Sequence, residues 1–183
     1  MEVHQEAEGV IAFWLQEVPP ERRFARDAAL DALIGERFGA LRAGVVRDAA
    51  AGWRNSPRPL LAAVILIDQF SRNLFRGSGE AFAADPLARA LSREAVAKGW
   101  DAAMTPGEHA FLYMPMMHSE RMSDQLRSIA LFEALGLDIQ IRFARLHAAQ
   151  IARFGRYPQR NEALGRQTTA EEAAFLADPD NHF

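Results

Sequence analysis

The stretch that decides the fold is NSPRPLLAAVILIDQF, residues 55–70. Ser56 followed by Pro57 is typical of a helix start, because serine caps the first turn and proline is favoured at the first helical position. Residues 60–67, LLAAVILI, are apolar on every face of such a helix. We therefore predict a helix over residues 57–71 that is surrounded by other helices.

Four polar side chains follow this apolar run: Asp68, Gln69, Arg72 and Asn73. In a helix, Asp68 and Arg72 are neighbours one turn apart, and Gln69 lies similarly over Asn73. One interpretation is an ion pair and an amide pair that satisfy each other at the end of a core helix. The other is a polar floor to a pocket, since buried polar groups need partners.

The rest of the chain also has a helical pattern. Apolar residues recur at spacings of three and four, and no run of alternating β-branched residues is long enough for a sheet. Helix starts are indicated by Asp85 before proline, Thr105 before proline, and a capping box at Thr169 and Glu172 or at Thr168 and Glu171. The predicted helices cover residues 5–17, 27–50, 57–71, 86–98, 106–113, 119–135, 138–154 and 169–177, with a helical turn near 160–164.

Because the predicted loops are short, neighbouring helices should pack as antiparallel hairpins. We expect an all-α single domain over residues 1–183. The tail either docks onto the body or frays, and Phe175, Leu176 and Phe183 favour docking. The chain has no cysteine, which excludes disulfides and thiolate metal sites. The acidic N-terminus is unlike a signal peptide, and no apolar run reaches the length of a membrane span. These features predict a cytoplasmic protein without a membrane partner.

The formal net charge is -3 and the pI is near 6.0, which argues against nucleic acid as a partner. Positive charge is nevertheless concentrated in RFGRYPQRN, residues 153–161, where Gly155 should end a helix. The polar side chains of this stretch are Arg153, Arg156, Arg160 and Asn161. Guanidinium groups match carboxylate and phosphate oxygens. Either these arginines pair with Asp68, Glu120 and Asp124, or some remain for an anionic ligand.

A second polar stretch is YMPMMHSERMSDQ, residues 113–125. We expect Pro115 to end one helix and Ser119 to cap the next, which would place His118 and Glu120 at a helix N-terminus. Glu120 and Asp124 then share a helix face, and Gln125 lies beside them. Paired carboxylates next to a histidine are typical of acid–base catalysis. Without an H-E-x-x-H pattern, we expect neither a metal nor another cofactor.

His147 shares a helix face with Phe143, Ile151 and Phe154. This pattern is typical of a hydrogen-bonded core histidine. The same helix leads into residues 153–161, however, so a place beneath the site is also consistent with the sequence.

Five blocks carry a family resemblance: FW at 13–14, DQFSRNLFRG at 68–77, AFAADPLA at 81–88, YMPMMHSE at 113–120 with DQ at 124–125, and RFGRYPQRNEALGR at 153–166. In this order they resemble the bacterial family catalogued as domain of unknown function 924. The resemblance implies a tetratricopeptide-like all-α fold and no established activity. The family usually has proline where Ser71 stands and histidine where Gln159 stands. The polar residues carried over are Asp68, Gln69, Arg72, Asn73, His118, Ser119, Glu120, Asp124, Gln125, Arg153, Arg156, Arg160 and Asn161.

Three functions are consistent with these residues. In a binding protein, Arg72, Arg156 and Arg160 would hold a small anionic ligand or an acidic peptide. In a hydrolase or transferase acting on an anionic substrate, His118 would be the general acid or base, oriented by Glu120 or Asp124. In a purely structural network, every polar group would be paired inside the fold.

Overall fold

The computed structural model describes residues 2–178 and 181, and this part of the chain contains helices and turns but no strand. The α-helices are α1 (Glu2–Ala12), α2 (Pro20–Arg23), α3 (Ala28–Arg47), α4 (Pro57–Val64), α5 (Ser71–Leu74), α6 (Glu80–Ala83), α7 (Asp85–Ala97), α8 (Pro106–Met117), α9 (Met122–Leu135), α10 (Asp138–Phe154) and α11 (Ala170–Leu176). Two π-helical segments, Phe13–Glu17 and Ile65–Phe70, continue α1 and α4. Short 3-10 turns cover Ala51–Trp53, Trp100–Ala103 and Pro158–Arg160. Of the predicted tail contacts, the one at Phe183 lies outside the described residues.

The centre of the molecule is α4 with its π-helical continuation. Every residue from 59 to 71 is buried, which confirms the prediction of a helix surrounded by others. Helices α1, α3, α7 and α8 pack around it. Phe70 contacts the rings of Phe13, Trp14 and Phe38 at centroid distances of 5.3 to 6.0 Å. Apolar burial on this scale is the main stabilising contribution to the fold.

The π-helical segment Ile65–Phe70 contains the first two polar residues after the apolar run, Asp68 and Gln69. A π turn is wider than an α turn and shifts the direction of the side chains around it, which is why such turns recur at functional sites. Asp68 is left 1% exposed in the centre of the fold. A carboxylate at that depth requires several polar partners.

Helices α9 and α10 form an antiparallel hairpin joined by a turn at Gly136, which has φ of +63°. Gly155, at φ of +68°, ends α10 and turns the chain back toward the end of α8. Both glycines occupy the left-handed region that other residues adopt only with strain. The sequence predicted both helix ends. Within the described residues, no helix combines the length and the hydropathy needed to cross a bilayer.

Helix starts agree with the sequence at Thr105 and Thr169, where both capping boxes are present. The start at Pro57 after Ser56 also agrees, but the Ser56 side chain makes no cap hydrogen bond, and the N-cap of α7 is Ala84 and not Asp85. Asp85 is instead the first residue of α7, and its carboxylate is engaged by two arginines from other segments. Those cations bind a carboxylate more strongly than a backbone N–H does.

The prediction for residues 115–119 is wrong in two respects. Pro115 lies inside α8, which continues to Met117, and α9 begins only at Met122. Ser119 therefore does not cap α9, and its hydroxyl donates to the Asp124 carboxylate at 2.7 Å. His118 lies in the tight turn between these helices, not on the first turn of α9.

Candidate functional site

A histidine and an aspartate meet where α8 ends against the central helix. His118 Nδ1 lies 2.8 Å from Asp68 Oδ1, and the His118 side chain is 14% exposed. The second Asp68 oxygen, Oδ2, accepts a hydrogen bond of 2.5 Å from Gln69 Nε2. No described residue hydrogen-bonds to Nε2 of His118. One ring nitrogen is thus held by a buried carboxylate, while the other has no hydrogen-bond partner among the described residues.

The charges around this pair set its protonation. Burial by itself raises the pKa of Asp68, but the Arg72 guanidinium and the His118 ring together hold it well below its usual range. Burial lowers the pKa of His118, and this effect outweighs the raising effect of Asp68, with Arg72 lowering it further. At neutral pH the aspartate is therefore ionised and the histidine neutral. Because an ionised carboxylate only accepts, Nδ1 carries the hydrogen and Nε2 carries the lone pair.

Two arginines from distant segments lie beside the histidine and share one carboxylate. Arg72 donates to both oxygens of Asp85, at 3.0 and 2.9 Å, and also to the Asp68 backbone carbonyl at 2.6 Å. Arg160 reaches Asp85 Oδ2 at 3.3 Å and donates to the His118 backbone carbonyl at 2.9 Å. The second contact ties Arg160 directly to the residue that carries the free imidazole nitrogen.

Arg160 is also held by aromatic rings. Its guanidinium carbon lies 4.6 Å from the ring centroids of both Phe82 and Tyr157. Stacking on two rings fixes the plane of the guanidinium without using its hydrogen-bond donors. Burial lowers the pKa of Arg160, and repulsion from Arg72 lowers it further. Two of its five N–H groups have described acceptors, so donors remain for an additional oxygen atom.

His147 is the buried, hydrogen-bonded histidine that its helix face predicted, and it also lies next to His118. Its ring centroid lies 6.1 Å from that of His118 and 5.5 Å from that of Tyr157. Its Nδ1 donates to the Phe143 carbonyl at 2.8 Å. Burial, with a contribution from His118, lowers the pKa of His147 to about 3. It is therefore neutral across the physiological range.

A network below the site fixes the turn that carries Arg160. The Tyr157 hydroxyl donates to the Met117 carbonyl at 2.6 Å and accepts from Gln125 Nε2 at 2.7 Å. Glu120 accepts from the Tyr157 backbone N–H at 2.8 Å and pairs with Arg166 through two contacts of 2.7 and 2.9 Å. Burial alone would raise the pKa of Glu120, but Arg166 lowers it below its usual value. Gln125 and Glu120 therefore position the loop of residues 157–160 against α8.

The structure differs from the expectation that Glu120 or Asp124 orients His118. Glu120 is engaged by Arg166 as described above, and Asp124 is fully buried beside Arg93, Arg89 and Ser119. The carboxylate next to His118 is Asp68, from the central helix. Spacing along one helix suggested the wrong partner because residues 118–121 lie in the turn between α8 and α9. His118 and Glu120 therefore do not share a helix face with Asp124.

The arginine-rich stretch divides between two places. Arg160 joins His118, whereas the other three predicted ligand residues, Arg153, Arg156 and Asn161, contact acids of α11. Arg156 pairs with Glu172 at 2.6 and 2.9 Å, and Asn161 donates to the same carboxylate at 3.2 Å. Hydrogen bonds from Arg156 and from the Thr169 backbone lower the pKa of Glu172 to about 2. These side chains hold α11 to the body of the protein.

One further predicted residue, Asn73, also lies apart from the imidazole. Asn73 donates to Asp31 at 2.8 Å, so the expected amide pair between Gln69 and Asn73 is absent. Arg153 is exposed and pairs with Glu171 at 2.8 Å. Gln159, where the family usually has histidine, is exposed on the surface. The residues that the fold brings together at the site are thus Asp68, Gln69, Arg72, His118, Gln125 and Arg160.

Sequence reasoning missed Asp85, Tyr157 and Arg166 as members of the site. The sequence pattern predicts only a helix cap for Asp85, because an aspartate before proline is typical of a helix start. A signal did exist, because Asp85 and Tyr157 lie within the blocks that carry the family resemblance. Within the described residues there is no group of three or more histidine and acidic side chains that could hold a metal ion.

Two shallow surface depressions lie away from His118. One is lined by residues of α3 and by Trp53, and the other lies between Arg93 and Arg127 over Met116. The His118 cluster itself is tightly packed, with the side chains of His118 and Arg160 only 14% and 11% exposed.

Comparisons with known proteins agree with this architecture. The profile of the family described as bacterial protein of unknown function (DUF924) matches residues 10–180, so the chain belongs to this family. It is similar to the solved structure of protein of unknown function ATU0120 from Agrobacterium tumefaciens, with 36% identity and a TM-score of 0.89. That similarity covers 94% of this chain and 97% of the other. No curated protein matches the chain.

Proposed function

We propose that this member of the DUF924 family is an enzyme, a hydrolase or transferase, that uses His118 as a general base and acid on a small anionic substrate. The observation that carries the proposal is the pair formed by Asp68 and His118. A buried carboxylate holds Nδ1, and Nε2 has no described partner. A neutral imidazole with a lone pair on Nε2 is the form that accepts a proton from a nucleophile.

Asp68 supports this role in two ways. Its contact with Nδ1 fixes the tautomer, so that the lone pair is always on Nε2. When Nε2 takes up a proton, the adjacent carboxylate stabilises the imidazolium, because two opposite charges 2.8 Å apart attract strongly in a poorly hydrated site. The proton can then be delivered to a leaving group, which completes an acid–base cycle.

Arg160 and Arg72 supply the preference for an anion. The guanidinium of Arg160 is fixed by two rings and by the His118 carbonyl, and it retains unused donors. Preorganised donors next to a base stabilise the negative charge that develops on an oxygen atom during acyl or phosphoryl transfer. The carboxylate of Asp85 balances the two arginines in the absence of substrate. An anionic group of the substrate would share these donors with Asp85.

A binding protein without catalysis is the second candidate, and the unused N–H groups of Arg160 favour it. The antiparallel hairpin of α9 and α10 supports a tetratricopeptide-like arrangement of helix hairpins. Such an arrangement would suit a protein that binds a small anionic ligand or an acidic peptide. A purely structural network accounts best for the contacts around Glu172. We infer a cytoplasmic location from the sequence, since a chain without cysteine needs no oxidising compartment.

The protonation state can be tested without a known substrate. In ¹⁵N NMR, we expect His118 to be neutral at pH 7 with hydrogen on Nδ1, and Asp68→Asn should change the tautomer because the carboxamide can also donate. The control is the exposed His4, whose signals should not respond to Asp68→Asn. A protonated His118 at pH 7 would contradict the assignment of a general base.

Turnover can be tested with chromogenic phosphate monoesters and half-esters of dicarboxylic acids. His118→Asn should lower the rate about 10²- to 10⁴-fold, the usual contribution of a general base. The control His4→Asn should retain full activity. If the wild type shows no turnover but is stabilised by the same anions, the binding function replaces the enzymatic one.

A further inference from the structure

A second arginine site lies on the other side of the central helix. Arg42 is part of the buried row of α3, in register with Ile34, Phe38 and Val45, and only 7% of the residue is exposed. Such a row on a helix normally contains apolar residues only. A permanent positive charge at this position therefore requires a physical explanation.

The described contacts of Arg42 do not neutralise its charge. Its Nε donates to the Ser71 hydroxyl at 3.0 Å, and its guanidinium carbon lies 4.9 Å from the Phe75 ring centroid. No described carboxylate lies within ion-pair distance of Arg42. The exposed Glu80 acts on it only at longer range. By contrast, Arg72 and Arg160 both pair with the Asp85 carboxylate.

The outer edge of this guanidinium is open. Neither Nη1 nor Nη2 of Arg42 donates to a described residue, and neither is among the side-chain atoms sealed from solvent. The Ser71 hydroxyl donates in turn to the Ile67 carbonyl at 2.5 Å, so it holds the Nε side of the guanidinium in place. The Phe75 ring covers one face. What remains is a pair of nitrogen atoms, Nη1 and Nη2, without a described acceptor where α3 packs against α5.

Charge and geometry define which ligand Nη1 and Nη2 of Arg42 can bind. A buried cation without a counter-ion is costly, and ring stacking offsets only part of that cost. Burial lowers the pKa of Arg42, which Glu80 only partly offsets. An oxyanion that bridges Nη1 and Nη2 would provide both the missing charge and two in-plane acceptors. A metal ion would be repelled by the guanidinium, and a neutral ligand would leave its charge unpaired.

We propose that Arg42, positioned by Ser71 and Phe75, binds a small oxyanion, a carboxylate or a phosphate group, through Nη1 and Nη2 where α3 packs against α5. This site is separate from the one at His118. Ser71 and Arg72 are consecutive residues, but Ser71 contacts α3 whereas Arg72 contacts Asp85 at the start of α7. The proposal therefore does not depend on catalysis by His118.

The test compares thermal unfolding of the wild type and Arg42→Met in potassium phosphate, potassium acetate and potassium chloride at equal ionic strength. A probe at a hundred times its Kd raises the folded-to-unfolded ratio of the wild type about a hundredfold. We expect that gain in phosphate or acetate to be absent in Arg42→Met. Without a binding anion, Arg42→Met should be at least as stable as the wild type, because a buried unpaired charge has been removed. The phosphate and acetate arms distinguish the two ligand classes.

The matched control is Arg37→Met. Arg37 lies on the same helix and also stacks on a phenylalanine, but it is paired with Glu17. This variant should keep the wild-type response to both anions, which separates specific binding from the general stabilisation that phosphate gives to folded proteins. An equal response in wild type and Arg42→Met would overturn the proposal.

Two further measurements keep the test decisive if Arg42→Met folds poorly. Titration of the wild type with inorganic phosphate should shift the ¹⁵N NMR signal of Arg42 Nε more than that of Arg37 Nε, and no difference would refute the site. Glu80→Gln should leave the anion response intact. If Glu80→Gln destabilises the protein and only this variant responds to the anions, Glu80 is the partner of Arg42 and the wild type needs no external anion.

Discussion

Replacement of Asp85 by asparagine tests whether one carboxylate holds the two arginines of the His118 site together. Asp85 accepts three hydrogen bonds, two from Arg72 at 3.0 and 2.9 Å and one from Arg160 at 3.3 Å. Asparagine has nearly the same shape but carries no charge, and one of its two polar atoms is a donor. Asp85→Asn therefore leaves two guanidinium groups facing each other without their shared counter-ion.

The magnitude follows from burial. Loss of one partner of a fully buried ion pair costs about 3–5 kcal/mol. The side chains of Arg72, Asp85 and Arg160 are 21%, 17% and 11% exposed, so water screens part of the new repulsion. Arg72 also retains its contact with Asp68. We therefore expect Asp85→Asn to lower the free energy of unfolding by about 2–3 kcal/mol, less than a fully buried pair would lose.

The assay is urea and thermal unfolding followed by circular dichroism. For a chain of this length, a loss of about 3 kcal/mol lowers Tm by about 6–12 °C. The urea midpoint should fall while the slope with denaturant stays constant, because the surface exposed on unfolding is unchanged. Inorganic phosphate should stabilise Asp85→Asn more than the wild type, since an anion can take the place of the missing carboxylate.

The matched control is Asp48→Asn, which removes a carboxylate from the exposed pair with Arg47. An exposed pair contributes little to stability, so the control should unfold at the wild-type temperature. If Asp85→Asn also keeps the wild-type Tm and the wild-type response to phosphate, then Asp85 does not hold the arginines and the description of the site is wrong.

Three further predictions concern the surroundings of the site. The pKa of His147 is about 3 in the folded protein and 6.5 in the unfolded chain. Between these values the unfolded chain binds more protons, so the free energy of unfolding should decrease as the pH falls, by up to about 5 kcal/mol. His147→Gln should flatten this pH dependence in denaturation experiments between pH 6.5 and 4. Tyr157→Phe removes the hydroxyl that bridges Gln125 and the Met117 carbonyl. It should lower the free energy of unfolding in urea by about 1–3 kcal/mol, and an unchanged urea midpoint would refute the bridge. Glu172→Gln should increase amide hydrogen exchange in α11, because Arg156 and the Thr169 backbone lose their carboxylate partner. The control Glu171→Gln, which changes an exposed residue, should leave the exchange unchanged. Equal exchange in both variants would contradict this role of Glu172.

Most of the fold could be predicted because its signals are local. The apolar run of residues 60–67, the capping boxes at Thr105 and Thr169, and the left-handed turns at Gly136 and Gly155 act within a few residues of chain. Their physical causes are amphipathic periodicity, satisfaction of the first helical N–H groups, and the freedom of glycine at positive φ. The limits of α8 and α9 were wrong because a proline can lie within a helix when the surrounding packing compensates for the lost hydrogen bond.

The candidate site could be predicted only as a set of residues. Asp68, Arg72, His118 and Arg160 were all expected to take part, but the sequence suggested Glu120 or Asp124 as the partner of the histidine. Pairing across 50 residues, as between Asp68 and His118, depends on where α8 crosses the central helix. No spacing rule along a single helix contains that information.

The sequence by itself determined that the chain is helical and where most helices begin and end. It also identified the polar residues that need partners next to an apolar core. Only the tertiary structure decided which carboxylate meets which cation: Asp68 with His118, Asp85 with Arg72 and Arg160, and Glu172 with Arg156. The physical reason is one of range. Backbone hydrogen bonding and side-chain periodicity act over one or two turns, whereas charge pairing is decided by distances that exist only after the helices have packed.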